Sequence, residues 1–168
     1  MSEYYILAHN KNHMVDLVSP LMNKDAWAYD YCINDVAKYW DEKNYWDEYP
    51  IKFLYDSQIR DESGPALLGG IASIYEGNEF HVKRIFTVAK YRGRGFGTTM
   101  LEYDWENAYD DHCTHIRMWC DKDAVPFYEK LGFKMLDEKD GYRYVYALIS
   151  NKNMFVALNI NSKDNSVI

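Results

Sequence analysis

The chain is poor in cysteine, and the few it has exclude two architectures. Cys32, Cys113 and Cys120 are an odd number with no CxxC pair and no metal-ligand spacing. Neither a disulfide framework nor a structural zinc site is expected from them, and they read as buried thiols in a reducing compartment. The five histidines are scattered, with no HxxxH pair on a helix, which gives no support to a metal enzyme. Long apolar runs are also missing. The opening MSEYYILAHNKNHMVDL has neither the basic segment nor the apolar segment of a secretory signal, and the other apolar stretches are too short to span a bilayer. A cytoplasmic protein without membrane association is the expectation. Positive charge is in deficit: 19 Lys and Arg stand against 26 Asp and Glu, for a formal charge of −7. A nucleic-acid surface would have to work against that field, so no nucleic-acid partner is expected. Internal repeats and low-complexity tracts are absent.

Aromatic side chains, by contrast, are abundant: sixteen Tyr, five Trp and seven Phe among 168 residues. The length suits one domain with a full hydrophobic core, and 48% hydrophobic with 27% charged residues is ordinary globular composition. Tyr4–Ala8 predicts a first strand, and Met14, Leu17, Val18 and Leu21 recur at helical spacing until Pro20 bends or breaks the helix. A second helix, capped by Asn23, carries Tyr29, Cys32, Ile33, Val36 and Trp40 on one face and runs to about Trp40. Ile51–Tyr55 and Ala66–Tyr75 read as strands joined through the polar turn 61–65, and a third strand covers Glu79–Val88. Met100, Leu101, Trp105 and Ala108 mark a helix ending near Asp110. Ile116–Cys120 is a short strand and Ala124–Leu131 a short helix, with Pro126 in its first turn and Gly132 at a left-handed C-terminal cap. Phe133–Leu136 and Tyr142–Leu148 close a hairpin around Asp140-Gly141.

Chemistry concentrates in Arg92-Gly93-Arg94-Gly95-Phe96-Gly97-Thr98, between a strand and a helix. Glycines let a backbone approach a ligand closely, and unpaired amides at a helix start favour phosphate oxygens. The position suits a pyrophosphate, although such turns are often only tight connections. A P-loop would need Gly-Lys followed by Ser or Thr, and a dinucleotide fingerprint would need glycine where Thr98 stands; neither is present.

Arg92 to Gly97, R-G-R-G-F-G, resembles the R/Q-x-x-G-x-G/A signature of the GNAT (GCN5-related) N-acetyltransferases. The preceding Ile85-Phe86-Thr87-Val88-Ala89-Lys90-Tyr91 is similar to the strand and turn found before it there. About thirty residues downstream, Phe127-Tyr128-Glu129-Lys130-Leu131-Gly132-Phe133 resembles the family's F-Y-x-x-L-G-F. The resemblance implies an α/β (α+β) fold: a central mixed, mostly antiparallel sheet of six to seven strands flanked by about four helices. It covers residues 1–148, leaving 149–168 as a tail or extra strand.

By that resemblance the amides of Arg92, Gly93, Arg94, Gly95, Phe96, Gly97 and Thr98 hold the pyrophosphate of acetyl-CoA, and Arg92 and Arg94 add charge unless they are simply solvated. Backbone groups of Ile85, Phe86 and Thr87 pair with the pantetheine arm and polarise the acetyl carbonyl. Asp121 stands where many members have an asparagine that touches the cofactor. Tyr128 matches the tyrosine that protonates the departing thiolate; a phenol with pKa about 10 facing a thiol of about 8.5 can do so if the site stabilises the phenolate. Core packing is its alternative role. In one branch a strand-four glutamate acts as base eleven residues before the signature, and that count falls on His81. Glu79, two residues back on the same strand face, is the second candidate base, and an edge-strand polar residue is the plain alternative for His81. The glutamate of the protein N-terminal branch has Ile116 in its place.

What the resemblance implies is acetyl transfer from acetyl-CoA to a primary amine by direct attack, with no metal. A non-catalytic acyl-CoA-binding module on the same fold is the other class. Tyr39-Trp40-Asp41-Glu42-Lys43-Asn44-Tyr45-Trp46-Asp47-Glu48-Tyr49 interleaves aromatic faces with carboxylates, which either attracts a small cationic or peptide-borne amine or tucks its rings onto the core. Homodimers are common in the family, and Met154–Leu158 offers an apolar segment for such a contact.

Overall fold

The computed structural model describes residues 2–139 and 142–148. The predicted turn at Asp140-Gly141, the segment 149–168 and its Met154–Leu158 stretch lie outside the described residues. Two compact units emerge: one comprises residues up to Ala72 together with Arg84–Arg92, the other Ser73–Lys83 together with the residues from Gly93 on.

The first unit opens with strand β1, Glu3–Ala8. Helix α1, Lys11–Val18, follows, with the Asn10 side chain accepting from the His13 amide at 2.8 Å. Pro20 does end this helix, sitting in the first turn of a 3₁₀ segment, Ser19–Met22, where its missing N–H costs nothing. Helix α2, Ala26–Asp30, is capped by Asp25 rather than by Asn23 as the sequence predicts. The Asp25 carboxylate accepts from the Ala28 amide at 3.1 Å, the standard N-cap bond. One wide π-helical turn, Tyr31–Val36, joins α2 to α3, Ala37–Lys43. The helix thus runs past Trp40 and stops at Asn44, whose φ of 55° is the left-handed geometry that ends helices.

Strands β2, Ile51–Asp61, and β3, Gly64–Glu76, are longer than their apolar cores predict. The hairpin closes tightly at Asp61↔Gly64, with Gly64 at φ 126° in a region closed to most side chains. β1, β2 and β3 pair antiparallel, as in Ile6↔Phe53↔Gly70. Gly70 has a packing reason to be glycine: a Cβ there would lie 2.7 Å from the Phe86 ring and 3.2 Å from Phe53. Trp40 is buried, its indole N–H donates to the Tyr49 carbonyl at 2.8 Å, and Tyr39 and Tyr45 pack against it. Trp46 is buried too and donates to Asp41 at 2.6 Å. Within the aromatic and acidic stretch 39–49, these two tryptophans are core residues.

The second unit is built on β4, Glu79–Thr87, whose first five residues belong to it, and on β5, His115–Asp121. These two run parallel, Phe80↔Ile116 and Val82↔Met118. β5 pairs antiparallel with β7, Tyr142–Leu148, and β7 with β6, Lys134–Lys139. Helix α4, Phe96–Asp110, buries Met100, Leu101, Trp105 and Ala108 as their spacing predicts. Its Asp104 is buried and accepts from the Ser73 hydroxyl at 2.5 Å; an uncompensated carboxylate would be costly there. The predicted helix 124–131 is a 3₁₀ turn, Lys122–Ala124, running into α5, Val125–Lys130. Gly132 follows at φ 93°, the expected left-handed cap. All three cysteines are buried, and none forms a disulfide among the described residues. Among the described residues no helix is long and apolar enough to cross a membrane.

Candidate active site

Three pieces of the second unit carry most of the residues singled out by sequence. In the first, Gly93 and Gly95 have φ of 74° and 89°, conformations that a side chain would resist. Gly95 is the N-cap of α4, and among the described residues no side chain caps the helix. The first amides, at Phe96, Gly97 and Thr98, have no carbonyl of the helix to bind, and the macrodipole concentrates positive potential there. Thr98 is 7% exposed, and its Oγ1 has no hydrogen-bond partner among the described residues. A buried hydroxyl with nothing to bind costs stability unless a ligand completes it. Arg94 is exposed, its guanidinium 5.6 Å from the Phe96 ring.

Tyr128, in the second piece, is 1% exposed on α5, edge-on to Phe127 at 5.2 Å and to Phe133 at 5.6 Å. Its carbonyl accepts from the Phe133 amide at 3.0 Å, so the turn through Gly132 fixes the tyrosine's end of the helix. Asp121 is exposed at the end of β5 and makes no side-chain cap for the turn after it.

The third piece is a polar cluster that only the strand register assembles. Glu79 and His81 face the same way on β4 and stand opposite His115 and Arg117 of β5. Arg117 Nε lies 2.5 Å from Glu79 Oε2, and His115 Nδ1 lies 3.9 Å from the same oxygen. His81 Nε2 is 3.7 Å from Glu76 and 4.0 Å from Glu79, and it is buried without a hydrogen-bond partner among the described residues. Burial holds this imidazole below the ordinary histidine range. Glu76 and Glu79 oppose the shift, while Lys83 and Arg117 add to it. The sequence points to His81 and Glu79 but misses Glu76, His115 and Arg117; the alternation of His115 and Arg117 was visible, and the parallel register was not.

The first unit holds Ile85, Phe86, Thr87 and Arg92. Phe86 and Thr87 are buried, and Thr87 Oγ1 lacks a hydrogen-bond partner among the described residues. Tyr31 places its ring edge-on to Phe86 at 6.0 Å, and the Ile85 amide bonds its phenol oxygen. Burial drives that phenol's pKa far up, so it stays protonated. Arg92 donates from Nε to the Thr87 carbonyl at 3.2 Å and lies 5.0 Å over the Trp27 ring, so part of its charge is used within the fold. Arg84 pairs with Asp35 at 2.8 Å and stacks on Tyr39.

Among the described residues no group of His, Cys, Asp and Glu is arranged to hold a metal ion. His9 and His13 are four apart in sequence, but α1 begins only at Lys11.

Fold and loop together define a class: a mixed α/β protein whose chain passes through two left-handed glycines into a helix with no side-chain cap. A family model described as an acetyltransferase (GNAT) domain matches residues 59–146, more than half of the chain. The chain belongs to the GNAT acetyltransferase family. Thialysine N-epsilon-acetyltransferase of Sus scrofa is 32% identical over 76 residues, a match that spans 43% of this chain and 44% of the pig protein. The Mus musculus protein of the same name matches equally. An acetyltransferase structure from Streptococcus agalactiae shares the fold at a TM-score of 0.62 and 19% identity, covering 88% of this chain and 99% of that one. The PaiA N-acetyltransferase of Thermoplasma acidophilum, solved in complex with coenzyme A, does so at 0.57 and 18%, covering 88% and 99%.

Proposed function

We propose that the chain is an acetyl-CoA-dependent N-acetyltransferase acting on a primary amine by direct attack. The observation that carries this is the start of α4: left-handed Gly93 and Gly95 and, among the described residues, amides without a side-chain cap and a buried Thr98 Oγ1 without a hydrogen-bond partner. Donors of that kind fit a pyrophosphate. The coenzyme A complex of the Thermoplasma relative and the amine acetylation named for the pig and mouse relatives support the same assignment.

In this proposal the amides of Arg92 to Thr98 hold the diphosphate, backbone groups of Ile85, Phe86 and Thr87 align the pantetheine arm, and Asp121 offers an acceptor to the cofactor. When bound, acetyl-CoA supplies the activated acetyl carbon. His81 is the better candidate base: its Nε2 has no hydrogen-bond partner among the described residues, and its lowered pKa keeps it proton-accepting at neutral pH. Glu79 already has one oxygen engaged by Arg117, which suits it to holding the cluster together. His81 takes the proton that the acceptor's ammonium must lose, and Tyr128 returns a proton to the departing sulfur. The acceptor class is a small cationic or peptide-borne amine.

The test is a panel of polyamines, aminoglycosides, amino acids and peptides assayed for coenzyme A release, followed by Tyr128→Phe on whichever amine turns over. Loss of a general acid lowers turnover by about 10²–10⁴, with acetyl-CoA affinity kept. A well-folded protein that binds acetyl-CoA but acetylates none of the panel would instead be a binding module.

A further inference from the structure

We infer that Asp25 is a positioning residue for acetyl-CoA: its second carboxylate oxygen holds the entrance of the cofactor loop in place. The inference rests on the proposal that residues 85–87 and 92–98 bind acetyl-CoA.

Asp25 lies outside both stretches and at 8% exposure is nearly buried. Oδ1 accepts from the Ala28 amide at 3.1 Å, and Oδ2 accepts from the Ala89 amide at 2.7 Å, across 64 residues of sequence. An N-cap needs only the first of these bonds, and serine, threonine or asparagine would serve as well. The second bond is what an aspartate adds.

Ala89 opens the 3₁₀ turn Ala89–Tyr91. Tyr91 donates back to the Val88 carbonyl at 2.8 Å and Arg92 to the Ala89 carbonyl at 3.3 Å. Fixing the Ala89 amide therefore fixes the direction in which the chain runs to Arg92. The same turn of α2 acts a second time through Trp27, 55% exposed, whose ring lies under the Arg92 guanidinium. Arg92 in turn reaches back to the Thr87 carbonyl. The start of α2 thus holds the stretch 87–92 at two points, Ala89 and Arg92. Without the Ala89 bond that stretch would sample other directions, and each acetyl-CoA binding event would have to restore the one now built in.

Two substitutions cut the bond from opposite sides. Asp25→Ser keeps a capping oxygen for Ala28 but has no second one for Ala89. Ala89→Pro removes the donor, at a first helical position that suits proline and after Val88 at ψ 133°, a conformation proline's neighbour prefers. Acetyl-CoA dissociation constants from calorimetry, KM for each substrate, kcat and the melting midpoint would be measured on the full chain. Each variant is expected to raise the acetyl-CoA Kd and KM about tenfold, equivalent to about 1.4 kcal/mol. In each, kcat and the amine KM stay at the parent values, and the double variant is no worse than either single one. Parent affinity in Ala89→Pro, or in a folded Asp25→Ser, overturns the inference while leaving the proposed function standing. Equal losses in both KM values and kcat would make Asp25 a purely structural cap, which also overturns it. A parent protein that binds no acetyl-CoA removes the proposed function and this inference together.

Discussion

Replacing Gly70 by alanine tests how tightly the strand that carries Phe86 is packed. The added methyl would sit 2.7 Å from Phe86 Cε1 and 3.2 Å from Phe53 Cδ1 and Cε1, where a carbon pair at rest needs about 3.5–4.0 Å. Phe86 has little room to retreat, because Tyr31 and Phe53 both meet its ring edge-on, at 6.0 and 6.4 Å. Overpacking of this kind costs about 1–3 kcal/mol, and a contact this short belongs near the top of that range. Alanine recovers about 0.4–1 kcal/mol by restricting the unfolded chain, which leaves a net loss of about 2 kcal/mol. For a chain of this size that lowers the melting midpoint by about 4–8 °C. Differential scanning calorimetry reads the shift, and Gly70→Ala combined with Phe86→Leu should recover part of it by removing the ring edge. An unchanged midpoint in Gly70→Ala alone would refute the packing argument.

Thr98→Val replaces a buried hydroxyl that has no hydrogen-bond partner among the described residues with a methyl of similar size; it should raise stability by about 1 kcal/mol while weakening acetyl-CoA binding. Urea titration and calorimetry read the two opposite signs, and a gain or loss in both refutes the phosphate role of that hydroxyl. His81 has its folded pKa depressed, so the stability it contributes relative to His81→Asn is fully present above the unfolded value of about 6.5 and is lost as pH falls from there through the folded value. Melting curves of the two proteins across that window should converge on the acid side, and a constant difference between them would contradict the burial argument. As the base, His81 should also place the acid limb of the kcat/KM profile below the ordinary histidine range, and His81→Asn should abolish that limb.

Much of this organisation is legible in the sequence. Hydrophobic spacing locates α4 through Met100, Leu101 and Trp105, and Gly132 marks the end of α5 because only a left-handed cap explains a glycine there. The signature Arg92–Thr98 announces the helix start that the fold leaves without a side-chain cap. Errors arise where two local solutions compete. Asn23 and Asp25 are both good capping residues, and tertiary structure decides between them, since only Asp25 also meets the Ala89 amide 64 residues on. The strands β2 and β3 outrun their apolar cores because backbone pairing continues through Arg60↔Pro65 to Asp61↔Gly64, where side chains no longer report it. The polar cluster at His81 was half visible: its β4 members follow a period of two, but which β5 residues face them depends on a parallel register that no short-range pattern encodes.

The wide turn at Tyr31–Val36 explains another property of the sequence. Ala28, Cys32, Val36 and Trp40 are all buried at intervals of four residues. In a regular α-helix each residue advances about 100°, so twelve residues would leave Trp40 about 120° away from Ala28. One looser turn absorbs that rotation and keeps all four side chains buried. Eleven residues of ordinary helix would instead come within about 20° of closure. The segment therefore carries one residue more than its geometry needs, and the exposed Asn34 is the natural one to be spare: a shorter chain without it can trade the loose turn for a tight one and still seat its tryptophan.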